Sequence, residues 1–349
     1  MQSSETLGGR VPRAVIFGCT GPSLTDWERA FFADSDPLGF ILFRRNCETP
    51  DQIRALVTAL RGTVNRADAP VLIDQEGGRV ARLRPPHWEA RPAAGLFAAL
   101  AERDSDRALE AVRLNARLLA EDLRPLGITV DCAPVLDLRW PDAHEVIGDR
   151  AFGSEPARVA ALGRAFCEGL LAGGVLPVVK HMPGHGRALC DSHHDLPRVT
   201  APLADLERSD FEAFRLLADA PWGMTGHIVF EAIDPARPAT TSPKVISEII
   251  RTTIGFNGVL VSDDLSMKAL SGGLGERAAA SLAAGCDVAL HCNGEPAEME
   301  AVTAAAGPLG AAAQRRLAAA ESRLPAPNTA PAIDVAAARG QLDLLLDRA

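Results

Sequence analysis

The stretch PVVKHMPGHGRALCDSHHDLP, residues 177–197, decides the fold. It opens on a short apolar run rich in β-branched residues and passes without a spacer into a loop crowded with Lys, His and Asp. Seven other apolar runs recur along the chain: AVIFG (14–18), GFILF (39–43), VLID (71–74), ITVDCAPV (128–135), WGMTGHI (222–228), GVLVS (258–262) and DVALHC (287–292). Runs that are continuously apolar, rather than alternating, suit parallel strands covered on both faces. Between them lie stretches whose apolar residues fall at helical spacing, such as 50–64, 108–126 and 155–173. Eight alternations of strand and helix without a change of composition predict an α/β fold, a single (β/α)₈ barrel over residues 1–322, rather than an open doubly wound sheet. SRLPAPNTAPAIDV (322–335) reads as a linker because Pro and Ala dominate it, and a short helix is expected after it at 337–347. Residues 323–349 are thus expected to form a tail outside the barrel.

The 349 residues carry 36 Lys and Arg against 45 Asp and Glu, a net charge of −9. Nucleic-acid binding relies on clustered cations, and here the Arg residues are scattered among acids, so no nucleic-acid partner is expected. No stretch is apolar enough for long enough to span a bilayer. The first residues, MQSSETLGGRVPRAVIFG, contain no long apolar segment of the kind a secretory signal needs. Seven Cys, without a CxxC pair, read as reduced and mostly buried thiols. The expectation is a cytoplasmic protein acting on a small molecule.

In such a barrel the active site forms at the C-terminal ends of the strands. Polar residues concentrate there: DQEGGRVAR (74–82), HEVIGDRAFG (144–153), KHMPGHGRALCDSHHDLP (180–197), TGHI (225–228) and SDDLSM (262–267). Lys180 and His181 come directly off an apolar strand, and PGHG (183–186) then turns the chain. Asp191 stands two residues before His193, close enough to orient the imidazole and raise its pKa, as a general acid/base near neutral pH requires. The same cluster of His181, His185, His193, His194 and Asp191 is also a conceivable metal site, although no HxH or HExxH pattern supports it. In SDDLSM two adjacent carboxylates are costly to desolvate without a task. Strand alternation is expected to turn Asp263 into the site as a nucleophile and Asp264 away as a structural cap. Asp74, beside Arg79 and Arg82 after the GG turn, suits bidentate binding of sugar hydroxyls. Cys190, next to Asp191, is read as an incidental small residue.

Taken together, DQEGGRV (74–80), APVLDL (133–138), EVIGDRAFG (145–153), KHMPGHG (180–186), DSHHDLP (191–197), PATTSPKVI (238–246) and SDDLSM (262–267) resemble glycoside hydrolase family 3. Within that family they are similar to the bacterial cytoplasmic β-N-acetylglucosaminidases of peptidoglycan recycling. The resemblance covers roughly residues 12 to 295, in the family's order. It implies Asp263 as nucleophile, His193 as acid/base, Asp191 as the partner of His193, and a sugar-binding set of Asp74, Arg82, Arg150, Lys180 and His181. It implies no metal and no cofactor, and a substrate in which N-acetylglucosamine is joined to 1,6-anhydromuramic acid, with or without peptide. Met182 departs from the usual Phe. The second αβα domain of larger members has no counterpart in this sequence, so the barrel is expected to supply all contacts.

The expected chemistry is retaining. Asp263 attacks the anomeric carbon while protonated His193 donates to the leaving oxygen, and neutral His193 then activates water. The segment 191–197 is expected to close over the substrate. Two other enzyme chemistries remain open at this level. A His acid/base does not repel phosphate, so phosphorolysis is one. A metal-dependent hydrolase built on the His cluster is the other. A non-catalytic sugar-binding barrel is disfavoured because both Asp263 and His193 are present.

Overall fold

A computed structural model describes residues 11–141, 143–192, 195–326 and 332–347. Eight parallel strands close into a barrel: β1 (Arg13–Phe17), β2 (Pro37–Leu42), β3 (Val71–Ile73), β4 (Val130–Asp131), β5 (Leu176–Met182), β6 (Trp222–Thr225), β7 (Val259–Asp264) and β8 (Val288–His291). Each strand pairs with its neighbours in sequence, and β8 closes on β1 through Val15↔Ala289 and Phe17↔His291. All eight expected runs overlap a barrel strand, so the (β/α)₈ architecture holds.

The alternation of side chains along each strand divides the core in two. Ile16, Leu72, Val130, Val178, Val261 and Leu290 join the cluster that fills the barrel, whereas Val15, Phe17, Val71, Ile73 and Val179 belong to the layer under the helices. Leu309, Ala313 and Ala320 join the inner cluster as well. They come from the segment around α10 (Ala311–Glu321), which seals the end where the strands begin, with Leu309 N–H donating to Pro12 O at 2.8 Å. The opposite end is left for chemistry.

The outer helices follow from local signals. α2 (Pro50–Val64) has the expected bounds: Thr49 caps Gln52 N–H and Pro50 stands at the first turn, where its missing N–H costs nothing. Its buried stripe of Ile53, Leu56, Val57, Leu60 and Val64 contributes roughly 2 kcal/mol per side chain. α4 (Ser105–Leu123) and α5 (Pro156–Ala172) pack so closely that a Cβ on Gly169 would lie 2.4 Å from Arg113 O. Only hydrogen fits there.

Two features go beyond the sequence reading. Arg198–Val199 and Val229–Phe230 form a short parallel ribbon, and Val229 N–H donates to Pro197 O at 2.9 Å. The far end of the 180–197 loop is thereby tied to the segment after β6. In the tail, Asp334 caps Ala337 N–H, so α11 (Val335–Leu345) starts two residues before the expected helix. It lies on α4: Ala338 and Leu342 are buried, Arg107 donates to Leu344 O at 2.6 Å, and Gln341 donates to Glu110 at 2.6 Å. Among the described residues no helix is long and apolar enough to cross a membrane.

Candidate active site

A cavity of about 300 Å³ opens at the C-terminal ends of the strands. Its wall takes Ile41 and Phe43 from the end of β2, Met224 from β6, Leu290 and Cys292 from β8, and a set of charged groups from the segments after β3, β4, β5 and β7.

The charged groups form one chain of ion pairs. Asp74 leaves the end of β3 and accepts from Lys180 Nζ at 2.8 Å and from Arg82 Nη2 at 2.9 Å. Lys180, on β5 and only 2% exposed, also reaches Glu76 Oε1 at 2.7 Å. Glu76 is clasped bidentately by Arg150, through Nε at 2.8 Å and Nη2 at 2.7 Å. The order is therefore Arg82–Asp74–Lys180–Glu76–Arg150. Burial alone pushes both carboxyls up, but the adjacent cations outweigh it: Asp74 is held well below the usual carboxylate range and Glu76 at about 2. The same pairing outweighs burial at Lys180 and Arg150 and holds both firmly charged.

Local backbone chemistry presents these groups. Gly77 adopts φ +97° where a Cβ would lie 2.3 Å from Pro92 O, so the turn after Glu76 requires glycine. Arg79 then pairs with Asp149 at 2.8 Å and donates to the carbonyls of Glu145, Val146 and Ile147. This binds the segment after β4 to the segment after β3 and delivers Arg150. Arg79 lines the cavity as well, and these bonds make it a strap on the loop.

A depressed carboxylate stabilises the folded state only while it is ionised. For Glu76 that contribution is complete above about pH 4.3, the unfolded value, and is lost as pH falls through about 2. Glu76→Gln is therefore expected to unfold at lower urea than the native chain at pH 7, with the gap narrowing as pH drops below about 4. Parallel curves down to about pH 2 would exclude this ion-pair contribution.

His181 Nδ1 lies 2.6 Å from Asp137 Oδ2, and the same carboxylate accepts His185 N–H at 2.6 Å. Burial raises the Asp137 carboxyl, but His181 and His185 outweigh it and hold it low. The pairing fixes the imidazole and leaves Nε2 for the cavity that His181 lines. His185 is pushed down to about 4, chiefly by burial, and its Nε2 lies 3.2 Å from Ser192 Oγ. It is a neutral wall residue.

Asp263, one residue before the end of β7, lies against the cavity, its Oδ1 accepting Asp264 N–H at 2.8 Å. Asp264 also borders the cavity, where alternation predicted that it would turn away. Their surroundings do separate them. Asp264 accepts from Ser266 N–H at 3.0 Å, Ser266 Oγ at 2.5 Å and Cys292 N–H at 3.1 Å, which ties β7 to the end of β8. Asp191 lines the same cavity, whereas His193 and His194 lie outside the described residues. Among the described residues no three His, Cys, Asp or Glu side chains group as metal ligands.

One expected contributor faces elsewhere. His227, in TGHI, donates from Nε2 to Asp264 O at 3.0 Å and accepts at Nδ1 from Thr240 Oγ1 at 2.7 Å. Burial lowers its pKa, so it is a neutral brace under Asp264. β6 gives the cavity Met224 instead. Conversely, Glu76 and Asp137 stand inside quoted segments, and sequence reasoning gave neither a role. Their only sequence signal is a carboxylate two residues beyond an apolar run.

Residues 25–325 match the glycosyl hydrolase family 3 N terminal domain. The chain belongs to glycosyl hydrolase family 3. It is 40% identical over 283 residues to a beta-hexosaminidase of Alkalilimnicola ehrlichii, covering 80% of each chain. With a beta-hexosaminidase of Chromobacterium violaceum it shares 39% over 303 residues, covering 85% of this chain and 84% of the relative. Its fold superposes on NagZ from Neisseria gonorrhoeae with a TM-score of 0.85 at 31% identity, covering 97% of this chain and 99% of that one. This family 3 member is thus a glycoside hydrolase of the β-N-acetylhexosaminidase type. The gonococcal enzyme has also been solved with N-trifluoroacetyl-D-glucosamine.

Proposed function

We propose that this hexosaminidase is a cytoplasmic, retaining exo-β-N-acetylglucosaminidase. It releases terminal N-acetylglucosamine from peptidoglycan-derived N-acetylglucosaminyl-1,6-anhydromuramic acid, with or without peptide. Asp263 attacks the anomeric carbon while His193, oriented by Asp191, protonates the leaving oxygen. The glycosyl ester on Asp263 is then hydrolysed by water that His193 deprotonates. Asp74, Arg82, Arg150, Lys180 and His181 bind the sugar hydroxyls, with Glu76 between Lys180 and Arg150.

The observation that carries this reading is Asp263 at the wall of a small cavity shared with Asp191 and a half-buried chain of five paired charges. A volume near 300 Å³ is at the lower end for ligand sites, so it suits one terminal sugar ring rather than the interior of a polymer. The gonococcal neighbour with a bound N-acyl glucosamine supports an amide-bearing sugar here. Because the acid is a His, the usual separation between two catalytic carboxylates does not apply.

The test compares aryl β-N-acetylglucosaminide with aryl β-glucoside. A preference of about 10²-fold or more in kcat/KM is expected, because a site built for an amide leaves polar groups unpaired when the amide is missing. Equal rates would overturn the substrate assignment. The same assay in phosphate buffer should yield free sugar; sugar 1-phosphate would make the enzyme a phosphorylase.

A further inference from the structure

Beneath the paired charges, Asp131 at the end of β4 is fully buried, at 0% exposure. Its Oδ1 accepts Gln75 N–H at 2.9 Å, and its Oδ2 has no hydrogen-bond partner among the described residues. Gln75 is the residue between Asp74 and Glu76. Its side chain is buried too: Oε1 accepts Arg82 N–H at 2.8 Å and Leu83 N–H at 3.0 Å, and Nε2 donates to Leu83 O at 3.1 Å. One carboxyl group therefore anchors the backbone that presents Asp74 and Glu76, and through Gln75 it also sets where Arg82 begins.

We infer that Asp131 is a positioning residue for the sugar-binding segment 74–82 and that it works as a neutral carboxylic acid, its ionisation disordering the charges above it. The charged groups that act on it are Lys180 from β5 and Asp74 and Glu76 from the segment after β3. The thiol of Cys132 follows it in the chain. Lys180 already serves Asp74 and Glu76, and among the described residues no cation bonds to Asp131. A buried carboxylate with one bare oxygen is costly, whereas the protonated acid is much less so. Burial pushes this carboxyl up to about 7, so the acid form prevails on the acidic side of neutrality. Above that, a third anion enters beside one ammonium, repels Asp74 and Glu76, and draws Lys180 from them.

The inference rests on the reading that Asp74 and its partners bind the sugar, and its test keeps the two apart. KM for an activated aryl N-acetylglucosaminide, which depends least on the leaving-group acid, is measured from about pH 6 to about pH 8.5. In the native enzyme KM is expected to rise about tenfold over that range while kcat changes less. Asp131→Asn keeps an oxygen for Gln75 N–H but cannot ionise, so its KM should stay flat. Asp131→Leu removes the acceptor and should raise KM about tenfold at every pH. In infrared difference spectra, a protonated-carboxyl band present at pH 6 should fade by pH 8.5 and be missing in Asp131→Asn. A flat native KM, an Asn variant that tracks the native profile, or the lack of that band would overturn the inference. If Asp74→Ala leaves KM unchanged, the sugar-binding reading itself fails. The native profile and the band need no variant to fold.

Discussion

Asp263→Ala is expected to lower kcat by at least about 10³-fold while leaving the fold intact. The magnitude follows from what nucleophile removal costs other hydrolases that pass through covalent intermediates. The structural cost should be small, because the carboxylate at the end of β7 that ties strands together is Asp264, through Ser266 and the Cys292 N–H. Asp263 accepts the N–H of its neighbour Asp264, a contact within β7 that joins no two strands. A 5-fluoro N-acetylglucosaminyl donor with an activated leaving group, which keeps the 2-acetamido group, should label the native enzyme at one carboxylate and leave Asp263→Ala unlabelled. Labelling of the variant at the native rate would refute Asp263 as nucleophile. The reverse substitution makes the contrast: Asp264→Ala should lower the melting temperature, because two backbone N–H groups lose their acceptor.

Lys180→Met should produce the largest loss of stability of any single change in the site. The ammonium is buried and bridges Asp74 and Glu76, which keep Arg82 and Arg150 as their cations once Lys180 is gone. Removing one member of a buried charge set leaves its partners undercompensated, at a cost of about 3–5 kcal/mol. The pH dependence separates this from simple loss of packing. Without Lys180 the carboxyls of Asp74 and Glu76 should rise toward protonation, so the variant should regain stability relative to the native chain as pH falls from 7 toward about 4. A deficit that does not change with pH would assign the loss to packing. Activity should fall as well, mainly in KM, because the groups that receive the sugar no longer hold one arrangement.

Much of this molecule is legible from local pattern. An apolar run of four to eight residues needs cover on both faces, and the eight runs alternate with helical stripes, which is enough to imply a closed parallel barrel. Residues immediately beyond such a run must stand at the barrel mouth, and Asp74, Lys180, His181 and Asp263 do. Caps are local too: the start of α2 is visible in Thr49 and Pro50.

Pairings are not local. Glu76 meets Lys180 across 104 positions and Arg150 across 74, and His181 meets Asp137 across 44. Nothing in DQEGGRV says that its Glu will be clasped as firmly as its Asp. His227 has the same local appearance as His181, a histidine just past a β-rich run. Yet it turns into Thr240 and the Asp264 carbonyl, whereas His181 faces the cavity. The sequence by itself determined the barrel and the set of residues brought to its mouth, because strand and helix periodicity act over a few residues. Only the tertiary structure decided which carboxylates are spent on cations and backbone N–H groups, because barrel closure and the burial of each charge choose its partners.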